Sequence, residues 1–109
     1  MDNQQIFLKA NKALAEGNYE AFITYCTEDI RWENVGASTF SGKAELLEYI
    51  SSAYDGLTFT TENSIKENDL VVELGQILFG NNGESKKRSY CDVWEFRNGL
   101  ISHVRSFVI

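Results

Sequence analysis

The C-terminal stretch from Ser89 to Ile109 places the strongest constraint on the fold, because its pattern is typical of a single long β-hairpin. Large apolar side chains alternate with other residues over Tyr90–Phe96, and the segment Leu100–Ile109 is rich in Ile, Val, Phe and Ser. Asn98-Gly99 lies between the two segments, and an Asn-Gly pair between such runs is the strongest short-range signal for a hairpin. The rest of the chain is therefore expected to wrap around this hairpin.

One residue does not fit the apolar face of the hairpin. Asp92 is in step with Tyr90, Trp94 and Phe96, so a strand puts all four side chains on one face. Desolvation there raises the pKa of a carboxyl, which makes it an acid or base near neutral pH or a neutral hydrogen-bond donor. The alternative is that a local hydroxyl or amide forms a hydrogen bond with Asp92 and that Asp92 is only part of the pocket wall.

The register of the hairpin decides what surrounds Asp92, and the sequence leaves two registers open. A two-residue Asn98-Gly99 turn would put Arg105 opposite Asp92, and that cation would lower the pKa of the carboxyl. A bulged turn would put Val104 opposite Asp92, with Ser106 on the same side, and the pKa would rise. In the bulged register His103 and Arg105 point outward.

The net charge of the chain argues against nucleic acid as a partner. The formal net charge is −6, whereas nucleic-acid binding needs clustered Lys and Arg. The one basic cluster, Lys86-Lys87-Arg88, lies in a strand-like segment and is interpreted as a solvated strand face. No segment approaches 18 apolar residues, so no membrane span is predicted and a membrane is not an expected partner.

Cysteine content and the N-terminus indicate a compartment. Cys26 and Cys91 lie in apolar contexts with no second pair, so both are expected to be buried thiols. The first residues lack the basic region and apolar core of a signal peptide. These features together predict a cytoplasmic protein.

Hydrophobic periodicity predicts three helices followed mainly by strands. The predicted helices are Asp2–Glu16, a second that is capped by Asn18 and ends near Glu28-Asp29, and a third that starts at Ser41 or Gly42 and ends at Asp55-Gly56, with Ala44, Leu47, Ile50 and Tyr54 facing inward. The predicted strands are Ile30–Val35, Leu57–Ile65, Leu70–Phe79, Glu84–Phe96 and Leu100–Ile109, with a loop over Gly36–Ser41 and turns at Asn68-Asp69 and Gly80–Gly83. This order indicates an α+β fold in one domain spanning residues 1–109, with helices covering one face of a curved, mostly antiparallel sheet.

Four stretches in this order and spacing carry a resemblance: Ala15–Ala21, Thr27–Glu33, Phe40–Lys43 and, the strongest, Asp92–Ile101. They resemble the nuclear-transport-factor-two-like superfamily, which includes ketosteroid isomerases and SnoaL-like polyketide cyclases. The resemblance implies a conical α+β barrel with a pocket between sheet and helices, and commonly a homodimer. It implies no single activity, because the superfamily holds enzymes, ligand binders and interaction modules.

The ketosteroid isomerase pattern can be carried over residue by residue. By this resemblance Asp92 matches the protonated aspartate of the oxyanion hole, whereas the base aspartate falls on Asn34 and the hydroxyl-donating tyrosine on Ala10. The supporting tyrosines fall near Cys26 and Ile50. An Asn side chain does not take up a proton near neutral pH, so the chain is not expected to isomerise ketosteroids.

Strand parity gathers the candidate site on the face that carries Asp92. The candidate catalytic residue is Asp92, and the candidate ligand-binding residues are Trp32, Asn34, Tyr90, Trp94 and Ser106. For Trp32 the alternative is plain core packing. Glu73 and Gln76 are not placed, because the Leu70–Phe79 strand does not alternate cleanly.

Two functions stay open. The first is a small-molecule pocket protein of the SnoaL-like type that uses Asp92 as acid or base on an apolar or aromatic ligand, in an isomerisation, cyclisation or dehydration (lyase) reaction. The second is a non-catalytic ligand-binding or dimerisation module, which the loss of the base at Asn34 and of the tyrosine at Ala10 favours. The sequence has no glycine-rich phosphate loop and no metal-ligand spacing, so no cofactor and no metal site are predicted.

The outer face of the sheet is expected to be partly apolar. In the bulged register Val93, Ile101 and Phe107 point outward. Large exposed apolar patches favour association, so a homodimer through this face is predicted.

Overall fold

The computed structural model describes residues 2–79 and 86–109. Its elements are α1 (Asn3–Ala15), α2 (Tyr19–Thr24), β1 (Cys26–Asn34), β2 (Ser38–Ser41), α3 (Lys43–Ala53), β3 (Thr58–Glu67), β4 (Leu70–Phe79), β5 (Lys86–Arg97) and β6 (Leu100–Val108). The six strands form one curved sheet in the order β2-β1-β6-β5-β4-β3. The pair β1–β6 is parallel, and the other neighbouring pairs are antiparallel.

The predicted α+β class is confirmed, with one difference in the shape of the sheet. Among the residues described, no pairing joins the edge strands β2 and β3, so the sheet is open and not a closed barrel. The turn predicted at Gly80–Gly83 and the first two residues of the strand predicted from Glu84 lie outside the described residues.

Helix α1 forms where the sequence predicts it. Asp2 caps it by accepting a hydrogen bond from the Gln5 backbone N–H at 2.9 Å, while the Gln5 side chain accepts from the Asp2 backbone N–H at 3.0 Å. This reciprocal capping satisfies two donors that a helix start leaves free. The buried side chains of α1 are Ile6, Phe7, Ala10 and Leu14, the apolar stripe at helical spacing.

The region after α2 differs from the prediction. The second helix was predicted to reach Glu28-Asp29, but it ends at Thr24 and β1 starts at Cys26. The Ile101 backbone N–H donates to the Tyr25 carbonyl at 2.8 Å, so pairing with β6 draws this segment into the sheet. Residues 38–41, predicted as part of a loop, form the short strand β2, which pairs with β1.

Helix α3 presents a different face from the one predicted. It buries Leu46 and Ile50, whereas Ala44 is exposed and Leu47 is only half-buried. The inward face is therefore shifted by about one position, although Ile50 was predicted correctly. None of the helices in the described part of the chain is long and apolar enough to cross a bilayer.

Trp94 lies at the centre of the core between the sheet and the helices. Its ring meets Phe7, Phe22 and Trp32 edge to face, at centroid distances of 5.2, 6.0 and 6.1 Å. Edge-to-face contacts of this kind add to the free energy gained from burying the rings. Each of the four rings is essentially inaccessible to solvent, so together they form the core against which the site is built.

The β5–β6 hairpin adopts neither of the two registers considered from the sequence. Its turn is the two-residue type, with positive φ at Asn98 and Gly99, but Ser102 forms a bulge that shifts the pairing beyond it. Asp92 pairs with Ser106, and Arg105 pairs with Val93 on the outward face.

The bulge also changes which residues of β6 point outward. Val104 lies opposite Trp94 and not opposite Asp92, and Ile101 was predicted outward but is fully buried opposite Phe96. A residue before the bulge and a residue after it that would share a face in a regular strand lie on opposite faces here. Phe107 and Arg105 stay on the outer face, as predicted.

Candidate functional site

Four polar side chains form a line across the inner face of the sheet, which we call the polar row: Glu73 on β4, Asp92 on β5, Ser106 on β6 and Asn34 on β1. Glu73 pairs with Asp92, Asp92 with Ser106, and Ser106 with Asn34 across the parallel β1–β6 contact. Strand pairing alone therefore brings together residues that are 14 to 72 positions apart in the sequence. Directly opposite residues on neighbouring strands have their Cβ atoms about 4.5–5.5 Å apart, so each member can interact with the next.

Glu73 is the member that sequence reasoning did not place. Its side chain is 1% exposed, and it accepts four hydrogen bonds. Oε2 accepts from the Tyr90 hydroxyl at 2.5 Å, the Thr61 hydroxyl at 2.6 Å and Asn11 Nδ2 at 3.2 Å, while Oε1 accepts from Trp94 Nε1 at 3.2 Å. A carboxylate with this many donors is stabilised in its charged form although it is buried.

The pattern of β4 explains why Glu73 was missed. Its inward neighbours are Val71 and Gly75, and its outward neighbours are Val72 and Leu74, so both faces of the strand carry apolar residues. Only the pairing of Glu73 with Asp92 reveals its direction. Gln76, the other residue that was not placed, lies on the outer face and donates to Glu62 at 3.1 Å and Ser89 at 3.2 Å.

Asp92 is also buried, but unlike Glu73 it is not surrounded by hydrogen-bond donors among the described residues. Asp92 is 6% exposed, and within the described part of the chain its Oδ1 has no hydrogen-bond partner. Burial raises the pKa of Asp92 to about 7; the Ser106 hydroxyl acts to lower it, and the charge of Glu73 raises it further. Arg105, the cation that could have lowered the pKa, is on the other face of the sheet.

Asn34 supports the site through a network that uses most of its hydrogen-bonding groups. Its Oδ1 accepts from Trp32 Nε1 at 3.1 Å, and its Nδ2 donates to Tyr49 Oη at 3.0 Å and Ser38 Oγ at 3.2 Å. Both amide hydrogens are therefore committed to protein groups. Because Tyr49 accepts the bond from Asn34, its own hydroxyl hydrogen is left for another partner.

A cavity of about 360 Å³ opens beside the polar row, between the sheet and the helices. It lies at the low end of the size range of small-molecule sites. Its polar walls comprise the side chains of Asn11, Asn34, Tyr49, Tyr54, Glu73, Arg88, Tyr90, Asp92 and Ser106, and its apolar walls those of Leu14, Val35, Ala37, Ala53, Leu57, Phe59, Ile77, Phe79, Trp94 and Val108.

The structure brings Asp92 and four of the five candidate ligand-binding residues to this cavity. Asn34, Tyr90, Trp94 and Ser106 all line it, whereas Trp32 does not. Trp32 is 1% exposed and packs in the core, so its placement in the pocket was wrong. The aromatic cluster takes up its ring, and its N–H orients Asn34.

Among the described residues the cavity wall supplies one carboxyl with an unpartnered oxygen, that of Asp92, and few free donors. The Tyr90 hydroxyl is used by Glu73, and burial together with this bond raises the pKa of Tyr90 above its usual range. Burial likewise raises the pKa of Tyr49, so its hydroxyl is protonated at neutral pH. Asp92 can therefore exchange a proton within the cavity, and the Tyr49 hydroxyl, whose hydrogen the bond from Asn34 leaves free, can donate a hydrogen bond there.

Comparisons with known proteins agree with this fold. The chain is similar to an NTF2-like protein of unknown function from Cytophaga hutchinsonii, at 21% identity and a TM-score of 0.83, over 99% of this chain and 100% of that one. It is similar to a provisionally assigned SnoaL-like polyketide cyclase from Shewanella denitrificans, at 19% identity and a TM-score of 0.85, over 98% of this chain and 90% of that one. It is also similar to a provisionally assigned ketosteroid isomerase from Kribbella flavida, at 19% identity and a TM-score of 0.87, over 98% and 77% of the two chains.

At these identities the solved structures establish the fold alone, and family membership depends on the sequence match. No curated protein matches the chain. The family model described as the SnoaL-like domain matches residues 7–104, nearly the whole chain. The chain therefore belongs to the SnoaL-like domain family.

Proposed function

We propose that the protein binds a small apolar or aromatic molecule in the cavity and that Asp92 moves a proton next to a carbonyl group of that molecule. The observation that carries this proposal is the buried carboxyl of Asp92, which lines the cavity with Oδ1 unpartnered by any group of residues 2–79 and 86–109. A pKa of about 7 suits a group that must both take up and release a proton near neutral pH.

The proposed step needs one base and one donor. The Asp92 carboxylate removes a proton from the carbon next to the carbonyl, and the electron pair of the C–H bond moves to the carbonyl oxygen as an enolate. The Tyr49 hydroxyl donates a hydrogen bond to that oxygen. Asp92 then returns the proton to a different atom in an isomerisation, or to a leaving group in a dehydration.

Glu73, the neighbour of Asp92 in the polar row, leaves Asp92 available as the base. Glu73 is held by four donors and does not depend on Asp92 for a partner.

The second candidate function, a non-catalytic binding module, is favoured by Asn34, whose amide hydrogens are already used and which cannot act as the base. Two free cysteines also support a reducing compartment such as the cytoplasm. Burial raises the pKa of Cys26 to about 12 and keeps its thiol unreactive, whereas Cys91, also expected to be buried, is only half-buried.

Base-promoted ring opening of 5-nitrobenzisoxazole tests Asp92 without knowledge of the natural ligand. A base removes the proton from C3 of this neutral arene, the N–O bond breaks, and a coloured cyanonitrophenolate forms. We expect the rate to rise with pH to a plateau above about pH 7, and Asp92→Asn to lower it by roughly 10² or more. The matched control is Asp55→Asn at an exposed position. Equal rates for wild type and Asp92→Asn would leave only the binding function.

A further inference from the structure

Arg88 gives the cavity a cationic group, separate from the polar row. It lies on β5 four residues before Asp92, on the same face, and its side chain lines the cavity. At about 3.3 Å per strand residue, the two positions are about 13 Å apart along the strand. The side chains around Arg88 in the cavity wall are apolar, namely Ile77, Phe79 and Val108.

The charges of the cavity wall are unequal. Within the described residues the lining includes two carboxyls, Glu73 and Asp92, and one cation, Arg88. The same residues contain no carboxylate within 4.0 Å of the Arg88 guanidinium, so no ion pair competes for it there. A guanidinium presents its donors in a planar fork that matches a carboxylate or sulfonate.

We propose that the natural ligand is an aromatic acid whose anionic group binds Arg88 while its apolar body extends along the cavity to Asp92. This inference depends on the proposed function for the position of the reacting carbon, and it adds the chemical class of the ligand. The acceptor oxygens Asp92 Oδ1 and Asn11 Oδ1, both unpartnered within the described chain, disfavour a second anionic group at the end of the cavity that holds Glu73 and Asp92. The ligand is therefore anionic at one end only.

Two fluorescent probes that share one aromatic framework test this proposal. 1-Anilinonaphthalene-8-sulfonate carries a negative charge, and N-phenyl-1-naphthylamine is its neutral counterpart. Dissociation constants are measured by fluorescence titration for wild type, Arg88→Gln, Arg88→Lys and Arg105→Gln. Arg105 is the matched control because it is an exposed arginine on the outer face of the same sheet.

We expect Arg88→Gln to weaken binding of the sulfonate by roughly two- to fivefold, the range for a solvent-exposed ion pair, and to leave the neutral probe unchanged. Arg88→Lys keeps the charge and should retain most of the affinity. Added salt should weaken sulfonate binding by wild type more than by Arg88→Gln.

Three results would overturn the proposal. They are an equal loss of both probes in Arg88→Gln, an equal loss of the sulfonate in Arg105→Gln, and no binding of the sulfonate by wild type. Because Arg88 is exposed, its substitution is not expected to affect folding, and the thermal midpoint checks this. The benzisoxazole reaction uses a neutral substrate and depends on Asp92, so its failure would be distinguishable from a failure here.

Discussion

Asp92 and Glu73 are neighbours across one strand pair, yet their surroundings give them different chemistry. Glu73 accepts four hydrogen bonds, which stabilise its negative charge in the core. Asp92 is buried without a comparable set of hydrogen-bond donors in the described part of the chain, so its neutral form is favoured. The hydrogen bonds to Glu73 therefore suit it to carry a charge, whereas the burial of Asp92 suits it to exchange a proton.

The raised pKa of Asp92 predicts how the free energy of unfolding changes with pH. The folded-state pKa is about 7, whereas the unfolded-state value is about 3.9, so between these values the folded protein binds more protons. The stabilisation from this residue is thus fully present below pH ~3.9 and is lost as pH rises through about 7. A difference of about three pKa units corresponds to about 4 kcal/mol as an upper limit.

Asp92→Asn should remove this pH dependence, because the amide has nearly the same shape and no charge. Relative to wild type, we expect the variant to gain free energy of unfolding between pH 4 and pH 8, measured by urea denaturation at each pH. Asp55→Asn, at an exposed position, is the control for general pH effects. A difference between wild type and Asp92→Asn that does not vary with pH would contradict a raised pKa.

On the scale of elements, the packing of β4 between β3 and the Tyr90 side chain of β5 depends on Gly75. Gly75 pairs with Tyr90, and the tyrosine ring crosses the space where a side chain would be. A Cβ at this position would collide with the Thr60 carbonyl oxygen and would lie 2.5 Å from the Tyr90 hydroxyl. The absence of a side chain at Gly75 is therefore what lets Tyr90 reach Glu73.

Gly75→Ala should lower the free energy of unfolding by about 2 kcal/mol or more, since the overlap involves backbone as well as a side chain held by a hydrogen bond. Gly36→Ala is the matched control: Gly36 has φ of +84° and open space around it, so only the conformational cost of about 1–2 kcal/mol applies. Guanidinium denaturation of both variants gives the comparison. A smaller loss for Gly75→Ala than for Gly36→Ala would show that Tyr90 does not depend on this glycine.

The elements differ in how far the sequence could predict them. Helix α1 and the strands β3, β5 and β6 were found because their apolar periodicity is regular, and β4 was found as an apolar run between two turn signals. The end of α2 was missed because pairing of the following residues with β6 overrides local helix preference. Strand β2 was missed because four residues of Ser, Thr and Phe carry almost no periodic signal.

The candidate site was predicted from the alternation of side chains along each strand, and the errors in that prediction also come from assuming regular alternation. Asp92, Tyr90 and Trp94 follow from alternation within one strand, whereas the position of Ile101 depended on a bulge that no residue type announces. Glu73 required knowledge of strand pairing, because β4 is apolar on both faces. Local pattern thus identified cavity residues on β1, β5 and β6, and Glu73 on β4 had to be observed.

On the scale of the whole molecule, the outer face of the sheet carries an apolar patch that the single chain does not cover. Leu74, Cys91 and Phe107 lie in one row across three strands, beside the pair Val72 and Val93. Leu74 is 40% exposed and Phe107 is 39% exposed. We propose that two copies associate through this patch, since a self-complementary apolar face favours a twofold dimer.

Sedimentation equilibrium at tens of micromolar should show a homodimer with an interface of about 1,200–2,000 Å² in total. Phe107→Glu should shift the protein to monomer, because it places a charge inside the patch. Leu8→Glu is the control, since Leu8 is 56% exposed on α1 and away from the sheet. A wild-type species of 12.4 kDa under these conditions would contradict the dimer.

The most direct test of the account is the titration of the Asp92 carboxyl carbon by carbon-13 NMR in the folded protein. We predict a midpoint near pH 7, and a lower midpoint in Glu73→Gln, because that change removes the neighbouring charge but keeps the site buried. Glu67→Gln, at an exposed position, should leave the midpoint unchanged. A midpoint at or below the ordinary value of about 3.9 would contradict the apolar setting of Asp92 and its role as the acid–base group.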